Sequence, residues 1–452
     1  MSAPDVLQAV CGDQLRTFRT LSTHTGPVSP LIVESGLIDP RTGRKMAGVP
    51  LGYAGPRRSA GGFSFDEYVA HNAIEQQMNS LNSLVFGMTG FRKSAGEKLR
   101  ILRDTLLFGR NYLVTDRKGH EYTPLVKHIP GAKVLKFGPE SNHFINPLDP
   151  VMTRDIQLEL LVALALNAMQ IGTKLSPTEH QLLWRALQDA HNEPGQAGVP
   201  TIDTLLHKLL HPSQATQARL GMDQAGVREG NKNLRMGLMR LAGDGDLAGM
   251  LHKPTTPGLF DAVPLLVLDC DGIDGEKAVI MVTLINFFTL SKNAISDSDN
   301  RFHHVLHDES WDLATYPGFV DSVRRGFKLG RTKGFGNRLV NHHWKNIIHS
   351  GNDKVEDLIG DSSLIISYRQ DPPEIEASAH VLGYSDQEVE RIKVLPPGSA
   401  LYKIRGLPAI EVEYVALPWE IPMLNTSSLV HGRTDLPRAM PLAVDTQGGM
   451  YV

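Results

Sequence analysis

The chain has 452 residues, 41% of them hydrophobic and 21% charged, which is enough apolar content for a large core and too much for a disordered chain. Its 46 Lys and Arg offset 49 Asp and Glu to a formal charge of −3. No global basic field marks it for nucleic acid, so any such contact must come from a local patch. The two cysteines, Cys11 and Cys270, lie far apart with no metal-ligand spacing. Neither a disulfide framework nor a zinc cluster is indicated, and a reducing, cytoplasmic setting fits. Residues 1–20 lack the apolar run of a signal peptide, and the most apolar stretch, Ala278 to Leu290, is too short to span a bilayer and carries Thr283, Asn286 and Thr289. The expectation is a cytoplasmic protein, peripheral to a membrane at most.

Residues 1–80 are rich in Gly, Pro, Arg and Ser without sustained periodicity and read as an entry segment with short strands. From residue 81 a strand, helix, strand rhythm begins. Leu84-Val85-Phe86 is a short apolar run, Ala95 to Phe108 places Leu99, Leu102, Leu106 and Leu107 at helical spacing, and Tyr112-Leu113-Val114 resumes the strand pattern. A βαβ unit of this kind predicts an α/β fold with a mostly parallel sheet and functional loops at the strand C-termini. Residues 81–150 form the first part of that core. Residues 151–260 read as an inserted all-α subdomain, with Ile156 to Met169 strongly apolar, Ser176-Pro177-Thr178-Glu179 as a helix start, and Ile202 to Leu210 amphipathic.

The core resumes over 261–425. Strands are predicted at Pro264 to Leu268, His304 to Leu306, Arg338 to Asn341, Leu364 to Tyr368, Ala400 to Ile404 and Ile410 to Val415, with a buried helix over Glu276 to Ser291. Residues 426–452 read as a tail.

Two stretches can carry chemistry. Gly87-Met88-Thr89-Gly90-Phe91-Arg92-Lys93-Ser94 stands between a strand and a helix. A phosphate-binding loop needs glycine-permitted backbone, a lysine for the β- and γ-phosphates, and a hydroxyl for Mg²⁺, all at a helix N-terminus. The spacing fits except that Arg92 stands where a glycine is expected before the lysine. The second stretch, Phe302 to Glu309, ends a strand in the acidic pair Asp308-Glu309. A nucleotide hydrolase uses such a pair to hold the Mg²⁺ shell and to polarise the attacking water. Charge is also segregated: Ser322 to Asn352 carries Arg324, Arg325, Lys328, Arg331, Lys333, Arg338 and Lys345 with no acidic residue. That stretch is a solvated helix face, a source of an arginine for a neighbour's phosphate, or a surface for a polyanion. His303 and His307 share a strand face but lack the carboxylate motif of a zinc site, whereas His342 and His343 follow the next strand and could line the nucleotide site.

The order of these motifs resembles the P-loop ATPases of type IV secretion and conjugation, the TraC-like branch of the HerA and FtsK superfamily, without their large N-terminal domain. The resemblance runs from about Gly48 to Asn425 and includes Gly48-Val49-Pro50-Leu51-Gly52, Phe65-Asp66, Gly87 to Ser94, and Asn146-Pro147-Leu148-Asp149. It continues through Asp269, Asp308-Glu309-Ser310-Trp311, Gly330 to Gly334, Arg369-Gln370-Asp371 and Leu395 to Ala400. It implies a RecA-like ATP- and Mg²⁺-binding core, commonly a homo-hexameric ring, working with secretion or conjugation channel components at the inner face of the cytoplasmic membrane, with DNA or protein as substrate. Carried over by position, Lys93 binds phosphates, Ser94 and Asp308 hold Mg²⁺, Glu309 is the base, and Arg331 or Arg369 senses the γ-phosphate across a subunit boundary. Asn341-His342 stands where that family has a Thr-Gln pair. Arg92 and this replacement leave two readings open: an ATP-hydrolysing motor subunit, or a degenerate nucleotide-binding scaffold subunit of a secretion, mobile-element or phage translocation machine.

Overall fold

The computed structural model describes residues 34–38, 45–58, 62–72, 78–137, 141–169, 174–193, 198–243, 245–249, 251–273, 275–296, 301–309, 313, 317–342, 354–424 and 450–451. Strands β1 (Glu34–Ile38) and β2 (Lys45–Ala47) form a separate antiparallel pair. They are followed by β3 (Val49–Ala54), β4 (Gly62–Phe65), β5 (Ser83–Phe86), β6 (Tyr112–Asp116) and β7 (Lys133–Lys136). After a helical excursion come β8 (Leu265–Asp269), β9 (His304–Asp308), β10 (Gly336–Asn341) and β11 (Leu364–Ser367). The last three are β12 (Ser399–Ile404), β13 (Ile410–Ala416) and β14 (Met450–Tyr451).

Twelve strands join in one sheet, in the order β4-β3-β13-β12-β11-β5-β10-β9-β6-β8-β7, with β14 on β13. From β11 to β7 every pairing is parallel, and from β4 to β12 every pairing is antiparallel. Central parallel strands such as β5, β6 and β8 are short, fully buried runs rich in apolar residues because helices cover both faces. Strand periodicity of two then splits each run between two cores. Leu84 and Phe86 of β5 face the core shared with α3 (Gly275–Ile295), α4 (Pro317–Lys333) and the helical insertion. Val85 faces the core shared with α2 (Lys93–Phe108), β3, β4 and β12–β13. Helix α3 is long and apolar enough to cross a membrane, yet 83% of its apolar window is buried inside the protein, as a core helix's would be.

The segment read as an entry piece is more than that. β3 and β4 extend the sheet, and Leu51, Phe63 and Phe65 are buried. Helix α1 (Glu67–Asn72) follows, where Glu67 meets Arg100 at 2.9 Å and also pairs with Arg338, while Asp66 meets Arg110 at 2.8 Å. The composition hid this because backbone pairing with β13 and buried ion pairs, rather than a long apolar run, hold the segment.

The insertion opens with a helix at Arg154–Met169 and continues through Pro177–Asn192, Ile202–Leu210 and Lys232–Met239. Ser176 and Glu179 form a reciprocal capping box at the second of these. Asn146 of the Asn-Pro-Leu-Asp motif sits at the root, donating from Nδ2 to the Pro200 carbonyl (2.8 Å) and from its backbone N–H to Thr255 Oγ1 (3.0 Å). That motif therefore ties the entry of the insertion to its middle and to its exit. The tail at 426–452 lies outside the described residues apart from β14, as do Ser310, Trp311 and His343.

Candidate functional site

β5 lies mid-sheet between β10 and β11, so its C-terminal end opens onto the crevice where ligands bind in parallel α/β sheets. The chain turns there through residues 87–92 and enters α2 at Lys93. Gly87 must lack a side chain, since a Cβ would come within 2.5 Å of Tyr368 Cβ, and Gly90 has φ +86°. Gly398 donates its N–H to the Phe91 carbonyl (3.4 Å), and Met88 donates its N–H to the Arg369 carbonyl (2.8 Å), so two later turns brace the loop.

Arg92 occupies the N-cap of α2 at φ 66° and ψ 31°, the left-handed region the glycine would favour. Holding a side chain there costs about 1 kcal/mol. The side chain is exposed to solvent, so the loop is not plugged by its own guanidinium.

Lys93 is 4% exposed. Its Nζ donates to the Gly87 carbonyl (2.5 Å), to the Met88 carbonyl (3.2 Å) and to His342 Nδ1 (2.5 Å). Burial lowers its pKa to about 8 against the pull of Glu309 and Asp308. With Nδ1 accepting from the ammonium, the His342 ring carries its proton on Nε2 and donates it to Glu309 Oε1. Lys118 donates to the same oxygen at 2.6 Å. Burial alone would raise the Glu309 carboxyl, but the hydrogen bonds from His342 and Lys118 outweigh it and bring it down to about 2. Glu309 itself sits at φ 54°, a strained conformation for a non-glycine residue, with its N–H on the Val340 carbonyl at 3.0 Å. Asp308, at the end of β9, is buried, and burial beside Glu309 pushes it up to about 8.

The two sequence motifs thus meet: one imidazole ring spans the distance from loop lysine to strand-end glutamate. No family model matches the sequence, and no curated protein matches it. Solved structures do match. VirB4 of Thermoanaerobacter pseudethanolicus superposes with a TM-score of 0.66 at 18% identity, over 83% of this chain and 98% of that one. The bacterial conjugative coupling protein TrwBdeltaN70, in its trigonal form with sulphate, gives 0.55 at 13% identity over 87% and 91%. The chain has the RecA-like P-loop ATPase fold of these structures.

Within this P-loop fold the two arginines separate. Arg369 follows β11 beside the loop, and its guanidinium lies over the Phe91 ring at 5.3 Å. Arg331 is in the last turn of α4, exposed, in a cleft with Lys328, Asp361 and Arg405 at the N-terminal edge of the strands. The structure does not bring Arg331 to this chain's own loop.

The basic stretch is not one open surface either. Arg324 pairs with Asp357, Arg325 with Glu159, and Arg338 is buried between Glu67 and Glu97. Of the histidines, His307 bonds Thr115 Oγ1 (2.8 Å) inside the sheet, and His303 accepts the Asn111 N–H (3.1 Å). Among the described residues no group of His, Cys, Asp and Glu could form a metal site by itself.

Lys118 is the residue that sequence reasoning missed. Its signal was positional: β6 neighbours β9, Asp116 is in register with Asp308, and the loop after β6 therefore opens beside Glu309.

Proposed function

We propose that the chain is an Mg-ATP-hydrolysing motor subunit that powers movement of DNA or protein through a secretion or conjugation machine. The observation that carries this is the Lys93–His342–Glu309 chain at the C-terminal edge of a parallel sheet, on a fold matched by VirB4 and TrwB. The glycine bend 87–92 receives the phosphates at the start of α2, and Lys93 leaves its loop carbonyls for their oxygens. Glu309 polarises the attacking water.

Ser94 and Asp308 are the residues that would hold Mg²⁺. Asp308, buried at the end of β9 beside Glu309, and the Ser94 hydroxyl at the start of α2 are oxygen donors of the kind Mg²⁺ takes, so the donor set fits. When bound, the ion would neutralise charge on the transferring phosphoryl group. A homo-hexameric ring gives Arg331 a use that its position denies it within one chain: reaching the nucleotide of a neighbour. Arg369, by contrast, is suited to its own loop. Channel components, and DNA as cargo, are the partners of this reading, at the cytoplasmic face of the membrane.

The scaffold reading rested on Arg92 in the loop and on Asn341-His342 in place of the Thr-Gln pair; the first of these is answered by position and the second by His342 standing between Lys93 and Glu309. The exposed side chain of Arg92 favours the catalytic reading. Calorimetry tests binding: Lys93→Ala is expected to lose nucleotide affinity by at least roughly a hundredfold, the scale of losing charge-assisted phosphate bonds. Unchanged affinity would remove the loop from the account.

A further inference from the structure

Lys118 is half-exposed, on the loop that follows β6, and no motif draws attention to it. Its ammonium nevertheless stands 2.6 Å from Glu309 Oε1 and 3.4 Å from His342 Nε2. On the far side of that imidazole, Nδ1 lies 2.5 Å from the Lys93 ammonium. One ring therefore separates two ammonium groups. One belongs to the loop that receives the phosphates, and the other is held by the residue suited to activate water.

The loop that carries Lys118 is itself fixed. Arg117 donates from Nη1 to the Glu309 carbonyl at 3.2 Å, and Tyr122 donates its N–H to Asp116 Oδ2 at 3.0 Å. The chain is thus tied down on either side of Lys118, whose half-exposed side chain has four rotatable bonds with which to change partner. In this arrangement Lys118 neutralises Glu309. A triphosphate tail seated on the loop presents several negative charges against the carboxylate's one, close to the same point, and outbids it for a mobile cation.

Building on the ATPase reading above, we propose that Lys118 is a γ-phosphate reader: it exchanges its pairing with Glu309 for the terminal phosphate when a triphosphate binds. The transfer has two consequences. It makes binding depend on the third phosphate, and it removes one of the two donors that occupy Glu309, so the carboxylate is released for water only when a hydrolysable phosphate is in place. On this proposal a diphosphate, lacking the terminal phosphate, leaves the pair intact.

The test is the ratio of affinities for a non-hydrolysable ATP analogue and for ADP, each with Mg²⁺, measured by calorimetry on the full chain. Lys118→Met is expected to lower that triphosphate preference roughly tenfold, mostly through the triphosphate arm, because a charge-assisted contact to phosphate is lost. Lys118→Arg is expected to restore most of it. Equal weakening of both nucleotides, or an unchanged ratio, would overturn the inference and reduce Lys118 to a surface ion pair. Failure of the unsubstituted protein to bind either nucleotide would instead overturn the ATPase reading, so the two failures are separable.

Discussion

Strands β9 and β10 carry an ion cluster at each end, and the two ends differ in kind. At the N-terminal end Arg338, Arg100, Glu67 and Glu97 are all buried, joined by pairs such as Arg100 to Glu67 at 2.9 Å and Arg338 to Glu97 at 2.6 Å. His304 lies in the same cluster, 3.7 Å from both Glu67 and Asp104, and burial holds its pKa well below the usual histidine range. At the C-terminal end Lys93, His342, Glu309 and Lys118 form a chain with one flank open to solvent. Both clusters contain strongly shifted groups, so a shifted pKa does not by itself mark a site. What separates them is access. The closed cluster matches its charges side chain to side chain and locks α1, α2 and β10 together, whereas the open one spends lysine donors on loop carbonyls and on a glutamate, partners a phosphate can replace.

The largest effect that would break this contrast is on stability. Arg338→Met leaves Glu67 and Glu97 buried without a shared partner and is expected to cost about 3–5 kcal/mol in denaturant unfolding, whereas Lys118→Met, half-exposed, is expected to cost under about 1 kcal/mol. Comparable losses would erase the distinction between the two ends.

Next in size is a pH effect at the open end. In the folded chain Asp308 keeps its proton up to about pH 8, against an ordinary value of 3.8. Between those values the folded state binds more protons than the unfolded one, so the group's contribution to stability falls as pH rises. Without nucleotide or divalent cation, Asp308→Asn is expected to melt a few degrees higher than the parent protein at pH 8, with the gap closing toward pH 4. A gap that widens on acidification would contradict the burial argument.

The smallest effect sharpens the reading of the loop. Arg92→Gly relieves left-handed strain and is expected to gain up to about 1 kcal/mol of stability while leaving turnover within roughly twofold, because the side chain it removes is exposed. A silent protein that begins to hydrolyse ATP on this change would revive the scaffold reading.

Local patterns were legible in the sequence and partners across the chain were not. The run Leu84-Val85-Phe86, the glycine bend and the helix after it stand in sequence as they do in space, and Asp308-Glu309 ends a strand as its apolar run indicates. His342 was visible as a residue able to line the site because it follows a strand in a parallel sheet. Lys118 was not, since nothing in Arg-Lys-Gly-His-Glu shows that its strand lies beside β9. Arg338 was misjudged for the same reason. Counted within a basic stretch it suggests a surface, but it points into the sheet toward Glu67 and Glu97, which lie far away in sequence. β3 and β4 were underestimated because their place depends on β13, whose pairing with β3 closes only after most of the chain is made.

Phosphate release measured side by side on the parent protein and Glu309→Gln, at saturating ATP and Mg²⁺, reaches the central claim most directly. Turnover in the parent and its loss by at least roughly a hundredfold in the variant, with nucleotide affinity retained, is the result expected of a glutamate that activates water. Hydrolysis by Glu309→Gln at the parent rate would contradict it.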